Sequence, residues 1–171
     1  MADFNISQFR GQFQYDGARP NLFKVQMDAF GPKMTFTCKA AQLPGSTIGT
    51  VPVYYMGREV KMAGNRTFPE WTVTILNDED FLVRNLLEGW MGQINGHQTN
   101  VATALLSDYS YQAYVTQYGK QGDELKKYTF VNMFPTDIAP IELDWGTNDT
   151  VEEYTVTFAY QYWTSDQADV G

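Results

Sequence analysis

The run "VEEYTVTFAYQYW", residues 151–163, alternates large apolar and polar side chains: Tyr154, Val156, Phe158, Tyr160 and Tyr162 fall on one side, Thr155, Thr157 and Gln161 on the other. A period of two is the repeat of an extended chain, so one face of this segment is built to be buried in a sheet. The same period recurs in "EWTVTILN", where Trp71, Val73 and Ile75 oppose Thr72 and Thr74. It recurs again in the pair "QAYVTQY" and "ELKKYTFVNMF", joined by the glycine-rich turn "GKQGD". In "NLFKVQMDAF", Phe23, Val25, Met27 and Ala29 alternate with Lys24, Gln26 and Asp28. After a Gly31-Pro32 turn signal, Met34, Phe36 and Cys38 alternate with Thr35 and Thr37. This spacing predicts a β-hairpin over 22–39 with Cys38 on its packed face.

Only one segment breaks to helical spacing. In "NDEDFLVRNLLEGWMGQIN", Val83, Leu86, Leu87, Trp90, Met91 and Ile94 form an apolar stripe, which predicts one helix over about 78–95. Asn77 is the expected N-cap, and Asp78, Glu79 and Asp80 are expected to complement the positive end of the helix dipole. Such a run is read as a helix start in preference to a metal or acid–base site, since no histidine accompanies it. The fold class is therefore mainly β, an antiparallel β-barrel or β-sandwich with one flanking helix.

At 171 residues the chain fits one domain, expected over 19–163, between a polar N-terminal arm at 1–18 and a polar tail at 164–171. Within it, the Gly- and Pro-rich stretch at 45–66 holds two β-prone runs and reads as an extended arm or long hairpin that reaches a neighbouring subunit. Its tip is Val53, Tyr54, Tyr55, Met56, Gly57 and Arg58. The N-terminus has no basic flank followed by an apolar core, and no run is long enough to span a bilayer, so neither standard export nor membrane insertion is expected.

The residues needed for catalysis are sparse. His97 is the single histidine and Cys38 the single cysteine, which leaves no nucleophile–base pair, no zinc set and no intrachain disulfide. The glycines near 89–96 follow a helix, whereas phosphate-cradling loops precede one. Glu152 and Glu153 are adjacent in a strand, so they point to opposite faces and cannot flank one bond. The tyrosine series at 154–162 can serve as a stacking platform or as packing, and packing is the commoner use. Twelve Lys and Arg against twenty Asp and Glu give a net charge of −8, which opposes general binding to nucleic acid. No cofactor, metal or catalytic residue is expected.

Four blocks, in order, carry a resemblance: "ARPNLFKVQM", "TFTCKAAQLPG", "VPVYYMGREVKMAGNRTFPEWTVTILNDE" and "IELDWGTNDTVEEYTVTFAYQYW". Together they resemble the tail tube proteins of contractile-tailed, T4-like bacteriophages, from about residue 18 to residue 163. The resemblance implies a non-enzymatic structural protein of the virion tail, assembled in the host cytoplasm, whose hexameric rings stack into a tube that conducts DNA without binding it specifically. It also implies a tail sheath protein, a tape measure protein, and baseplate and tail terminator proteins as partners. Tubes of phage-derived injection particles, pyocin-like or type VI-like, are the nearest alternative, and a ligand-binding β-sandwich is a more distant one.

The resemblance places Arg66 at the close of the arm, where it is expected to pair with a carboxylate at a turn or subunit joint. Asp144, an acid at the helix start and a neighbour's carboxylate are the three candidates. The expected lumen wall is the hairpin at 22–39 with the pair at 111–134. Lys24, Lys126 and Lys127 would offer DNA a foothold there unless acids such as Asp28 or Glu124 lie beside them.

Overall fold

The computed structural model describes residues 6–12, 17–97, 102 and 105–167. In chain order the elements are α1 (Ile6–Gln12), β1 (Phe23–Met27), α2 (Gly31–Thr37), β2 (Cys38–Ala41), β3 (Thr47–Tyr55), β4 (Arg58–Thr67), β5 (Trp71–Leu76), α3 (Leu82–Ile94), α4 (Leu106–Tyr109), β6 (Tyr111–Tyr118), β7 (Glu124–Ile138), β8 (Glu153–Ala159) and β9 (Tyr162–Ser165). The expected arm and tail lie outside the described residues at 1–5, 13–16 and 168–171, and so does the side chain of Phe36.

One antiparallel sheet runs in the order β1-β6-β7-β8-β5-β2, with β9 added to β7, and it folds back on itself into two facing layers. The fold-back is built into β7. Its first half pairs with β6 and β9, its second half with β8. Between the halves the ladder to β6 slips, because Ala113 faces Phe130 while Tyr111 faces Met133. Asn132 in that slip has φ 52. A positive φ turns the strand sharply, and Asn tolerates it better than most residues because its short amide can bond locally. The neighbouring chain bends at the same level: β8 ends at Ala159, β9 begins at Tyr162, and Gln161 N–H donates to Val131 O. Two adjacent strands thus turn a corner together, as strands do when they switch layers.

The inner faces of the layers meet across an apolar core. Val25, Val115 and Phe130 on one side face Trp71, Val73, Val156 and Phe158 on the other, all with almost no solvent exposure. Trp71 stacks on Phe130 at 4.5 Å between ring centroids and sits 5.8 Å from Phe158. Its indole N–H donates to Gln42 O at 2.7 Å, so the one polar atom of this large side chain is satisfied. Val83, Leu87 and Trp90 of α3 close one opening of the sandwich, where Trp90 meets Phe30, Tyr111 and Phe158.

Three expectations are corrected. The segment after Gly31-Pro32 is not the second strand of a hairpin: residues 31–37 form α2, and β1 pairs with β6. Phe30 and Met34 are four apart and both buried, and that spacing fits one helix face as well as it fits alternation. Pro32 pre-sets the first helical turn instead of closing a hairpin. Cys38 opens β2, half-buried and packed against the core.

The long helix also starts later than its acidic run, at Leu82, with Phe81 at its N-cap in the left-handed region at φ 52. Asn77 does not cap it. Its N–H donates to Glu152 O at 2.8 Å and its amide to the Glu152 carboxylate at 2.9 Å, which extends the β5–β8 pairing by one residue. The single strand expected over 151–163 is two strands with the corner between them, which leaves Tyr160 packed on the core and Tyr162 exposed.

Because the corner needs a left-handed residue at position 132, Asn132→Gly should leave stability within about 0.5 kcal/mol, whereas the β-branched Asn132→Val should cost about 1–3 kcal/mol. Urea denaturation of both variants measures the difference.

Candidate functional site

The surface that stands apart is the β3–β4 hairpin, the segment read as an arm. It forms a two-stranded sheet of its own, and every residue in it except the half-buried Gly64 is exposed. The turn explains its length. Met56 and Gly57 have φ 46 and 78, the pair of positive values that gives a two-residue turn the twist of its flanking strands. Register runs from Tyr55↔Arg58 at the tip to Thr47↔Thr67 at the base, with a bulge between Ile48 and Thr50. At the bulge a Cβ on Gly64 would lie 3.0 Å from Gly49 O, so the close approach of the two backbones favours glycine.

The base of the hairpin is tied to the body. The indole N–H groups of Trp71 and Trp163 donate to Gln42 O at 2.7 Å and Gly45 O at 3.0 Å, just before β3. Cross-strand partners share a face, so the ribbon has two distinct sides. Val51, Val53, Tyr55, Val60 and Met62 make one apolar apart from Arg58 at its tip; Ile48, Pro52, Tyr54, Glu59, Lys61 and Arg66 make the other mixed, with two cations and one acid.

Arg66 is exposed, opposite Ile48, and makes no ion pair among the described residues. Asp144 is also exposed. Its carboxylate accepts from Gly146 N–H at 2.9 Å and holds the turn at 144–147. The structure does not bring Arg66 and Asp144 together. The helix-start acids go to a different cation: Lys33 of α2 bridges Asp78, at 2.8 Å, and Asp80. Those hydrogen bonds raise the Lys33 pKa. In return Lys33, together with a Leu82 N–H bond to the carboxylate, lowers that of Asp80. The run is a clasp between α2 and the start of α3, and Asp80 still binds one N–H of the first turn.

The second candidate surface is the outer face of the layer β1-β6-β7-β9. Lys24, Thr116 and Lys127 align in one row across three strands. In the next, Tyr114 donates to Gln112 at 2.9 Å and to the Asp28 carboxylate at 3.4 Å, while Lys127 Nζ lies 4.3 Å from the Tyr114 ring centroid. Asp166 accepts from Lys127 N–H at the edge. Two cations and two acids balance there. Lys126 is on the opposite face of β7, over Tyr128, and Glu124 meets Tyr118 beyond the row.

Nothing on either surface assembles chemistry. Among the described residues no three His, Cys, Asp or Glu side chains gather as a metal set, and His97 is exposed beside Asp137 and Glu88 in a surface groove. Glu152 binds Asn77, whereas Glu153 pairs with Lys39. A groove of about 520 Å³ between residues 17–22 and the β6–β7 turn holds Arg19, Lys120 and Asp123 without a nucleophile. No helix among the described residues is long and apolar enough to cross a membrane.

Residues 4–166 match the family model of the phage tail tube protein. The chain belongs to the phage tail tube protein family. It is 35% identical over 149 residues to the tail tube protein gp19 of Enterobacteria phage T4, an alignment that covers 86% of this chain and 91% of that one. In fold it is similar to two solved structures of the extracellular contractile injection system PVC. One is a sheath/tube terminator in the extended state (TM-score 0.68, 14% identity, 89% of this chain and 98% of that one). The other is a sheath–tube complex (TM-score 0.61, 15% identity, 95% and 98%). A tail tube protein is a structural part of a virion tail.

The lone thiol follows suit. Burial pushes Cys38 up to about 12, so at pH 8 it stays protonated and should react with a disulfide reagent at least about tenfold more slowly than in the unfolded chain. The raised value favours the folded state only while the unfolded thiol is also protonated. Stability should therefore fall as pH rises from about 8.5 towards 12, which alkaline denaturation of the wild type and Cys38→Ala can separate.

Proposed function

We propose that this chain is the inner tube subunit of a contractile phage tail, non-enzymatic, forming hexameric rings that stack into a conduit for DNA, with the β3–β4 hairpin as the arm between subunits. The observation that carries the reading is that hairpin. A two-stranded ribbon exposed on both faces leaves apolar surface uncovered that has no partner within a single copy, and exposed apolar patches of this kind mark contact surfaces. Its apolar side alone offers Val51, Val53, Val60 and Met62, each between 41% and 56% exposed. Since about half of each is still in water, burying the remainder stabilises a contact by roughly 0.7–1.5 kcal/mol each before the cost of association.

Strand edges support the same reading. β1, β2 and β9 each pair on one side only, and cyclic repetition lets one copy's edge continue the next copy's sheet. Sheath, terminator, baseplate and tape measure proteins complete the set of partners. The contractile injection particles named above carry tubes of like fold, and a tube that carries no DNA is the alternative.

Purified protein should form rings or tubes visible by negative-stain microscopy without any cofactor. Removing residues 53–57 should leave a folded subunit with unchanged melting behaviour that no longer stacks. A protein that stays monomeric at high concentration in several salts, or a truncated one that stacks normally, would contradict the assignment.

The outer face of β1, β6, β7 and β9 is the lumen wall in this reading. It is polar, and Lys24 and Lys127 share it with Asp28 and Asp166, so its formal charges cancel and passing phosphates meet no net attraction. Asp28→Lys removes that balance. DNA ejection should slow at low salt and recover as screening shortens to about 8 Å near physiological ionic strength. Ejection that is unchanged at both salts, with tubes intact, would remove this face from the wall.

A further inference from the structure

The loop between β7 and β8, residues 140–151, has no regular structure, yet it is not loosely polar. Trp145 is 98% exposed, Leu143 81% and Val151 67%. The turn beneath the indole is fixed: Thr147 N–H donates to Asp144 O at 3.2 Å, and Gly146 N–H donates to the Asp144 carboxylate at 2.9 Å. A large aromatic presented to solvent on a preformed turn has the character of an interface anchor, because such side chains bind through area already held in place. Around it the charge is of one sign. Glu142, Asp144 and Asp149 share the loop with no Lys or Arg, and none of the three is in an ion pair among the described residues.

The chain carries one surface of complementary character. Although its net charge is −8, residues 47–67 hold Arg58, Lys61 and Arg66 against the single acid Glu59. None of these cations has a carboxylate partner among the described residues. Register places Lys61 opposite Pro52 and Arg66 opposite Ile48, so both cations flank a small apolar strip on one face of the ribbon, where Glu59, opposite Tyr54, lies nearer the tip and leaves a net positive charge of one.

We propose that loop 140–151 of one copy is the seat for the β3–β4 hairpin of the adjacent copy, with Lys61 and Arg66 facing Glu142 and Asp149, and Trp145 lying on Ile48 and Pro52. The inference rests on the tube reading above and deepens it by naming where the arm lands. Both halves belong to the same chain but do not meet within it. A contact between two different patches is heterologous, so every copy both gives an arm and receives one, and the pattern propagates through an assembly of identical subunits. Charge sets the register of the contact, and the indole supplies its desolvated centre.

Charge exchange tests it on the full chain. Lys61→Glu with Arg66→Glu should lower the sedimentable polymer at least about tenfold, and so should Glu142→Lys with Asp149→Lys, since like charges then face each other across the joint. All four substitutions in one chain should restore assembly to within about twofold of the unaltered protein, because both sides are then reversed together. Trp145→Ala should reduce polymer without moving the melting temperature of the isolated subunit. As a second measurement, copies carrying Arg66→Cys are mixed with copies carrying Asp149→Cys and treated with a short bismaleimide, which should give a mixed dimer.

Normal assembly by either reversed pair would overturn the seat while leaving the tube reading intact. Loss in both pairs with no rescue and no mixed dimer would assign the arm to a different occupant, such as a sheath protein, and overturn the seat as well. Failure of the unaltered protein to assemble would overturn both. If a reversed variant does not fold, the cross-link decides alone.

Discussion

A single strand has to serve two layers, and the rest of the molecule depends on how it does so. β7 spends its first half in one layer and its second in the other, and the bend falls where Asn132 adopts a left-handed conformation opposite the gap between β8 and β9. Without that corner Phe130 and Trp71 would not stack and the sheet would stay open, with one apolar face in water. The core, the seating of α3 and the position of the β7–β8 loop all follow from it.

The outer surfaces follow a different logic. Inside, apolar side chains are packed and nearly every buried polar side-chain atom is satisfied, the Tyr154 hydroxyl being the exception among the described residues. Outside, the hairpin and the 140–151 loop leave Tyr54, Met56, Leu143 and Trp145 in solvent. A monomeric protein gains nothing from such exposure, whereas an assembling one gains a contact. Family membership and surface chemistry therefore agree, although they come from independent observations: one from aligned sequence, the other from where apolar area is left uncovered.

Periodicity made much of the fold legible. β5, β6, β7 and β8 lie where alternation placed them, α3 buries Val83, Leu87 and Trp90 of the expected stripe but leaves Leu86 exposed, and the Gly/Pro-rich arm is a long hairpin. The misreadings share one cause, the ambiguity of short patterns. Phe30 and Met34 are four apart, which suits both a strand face and a helix face, and both end in the same buried cluster with the chain between them helical. Asn77 and the acids after it look like a cap, but Glu152 and Lys33 compete for them from far along the chain, and no local pattern contains those partners. A corner within an alternating run is equally silent, because Tyr160 and Gln161 keep the period while the backbone turns. Trp145 is the opposite case. Tryptophan signals burial in most chains, and its exposure became evident only when no element of the fold covered it.

The hairpin turn has a kinetic corollary. Met56 and Gly57 already hold the twisted two-residue conformation, and both indole tethers at the base are already made, so the ribbon reaches any partner fully folded. An arm that ordered only on docking would lose conformational entropy at that moment and would make each addition slow and strongly temperature-dependent. A rigid arm gives up only translation and rotation. Growth of such a polymer is then governed by how often subunits collide in the right orientation, and its speed scales with subunit concentration and solvent viscosity instead of with a refolding step.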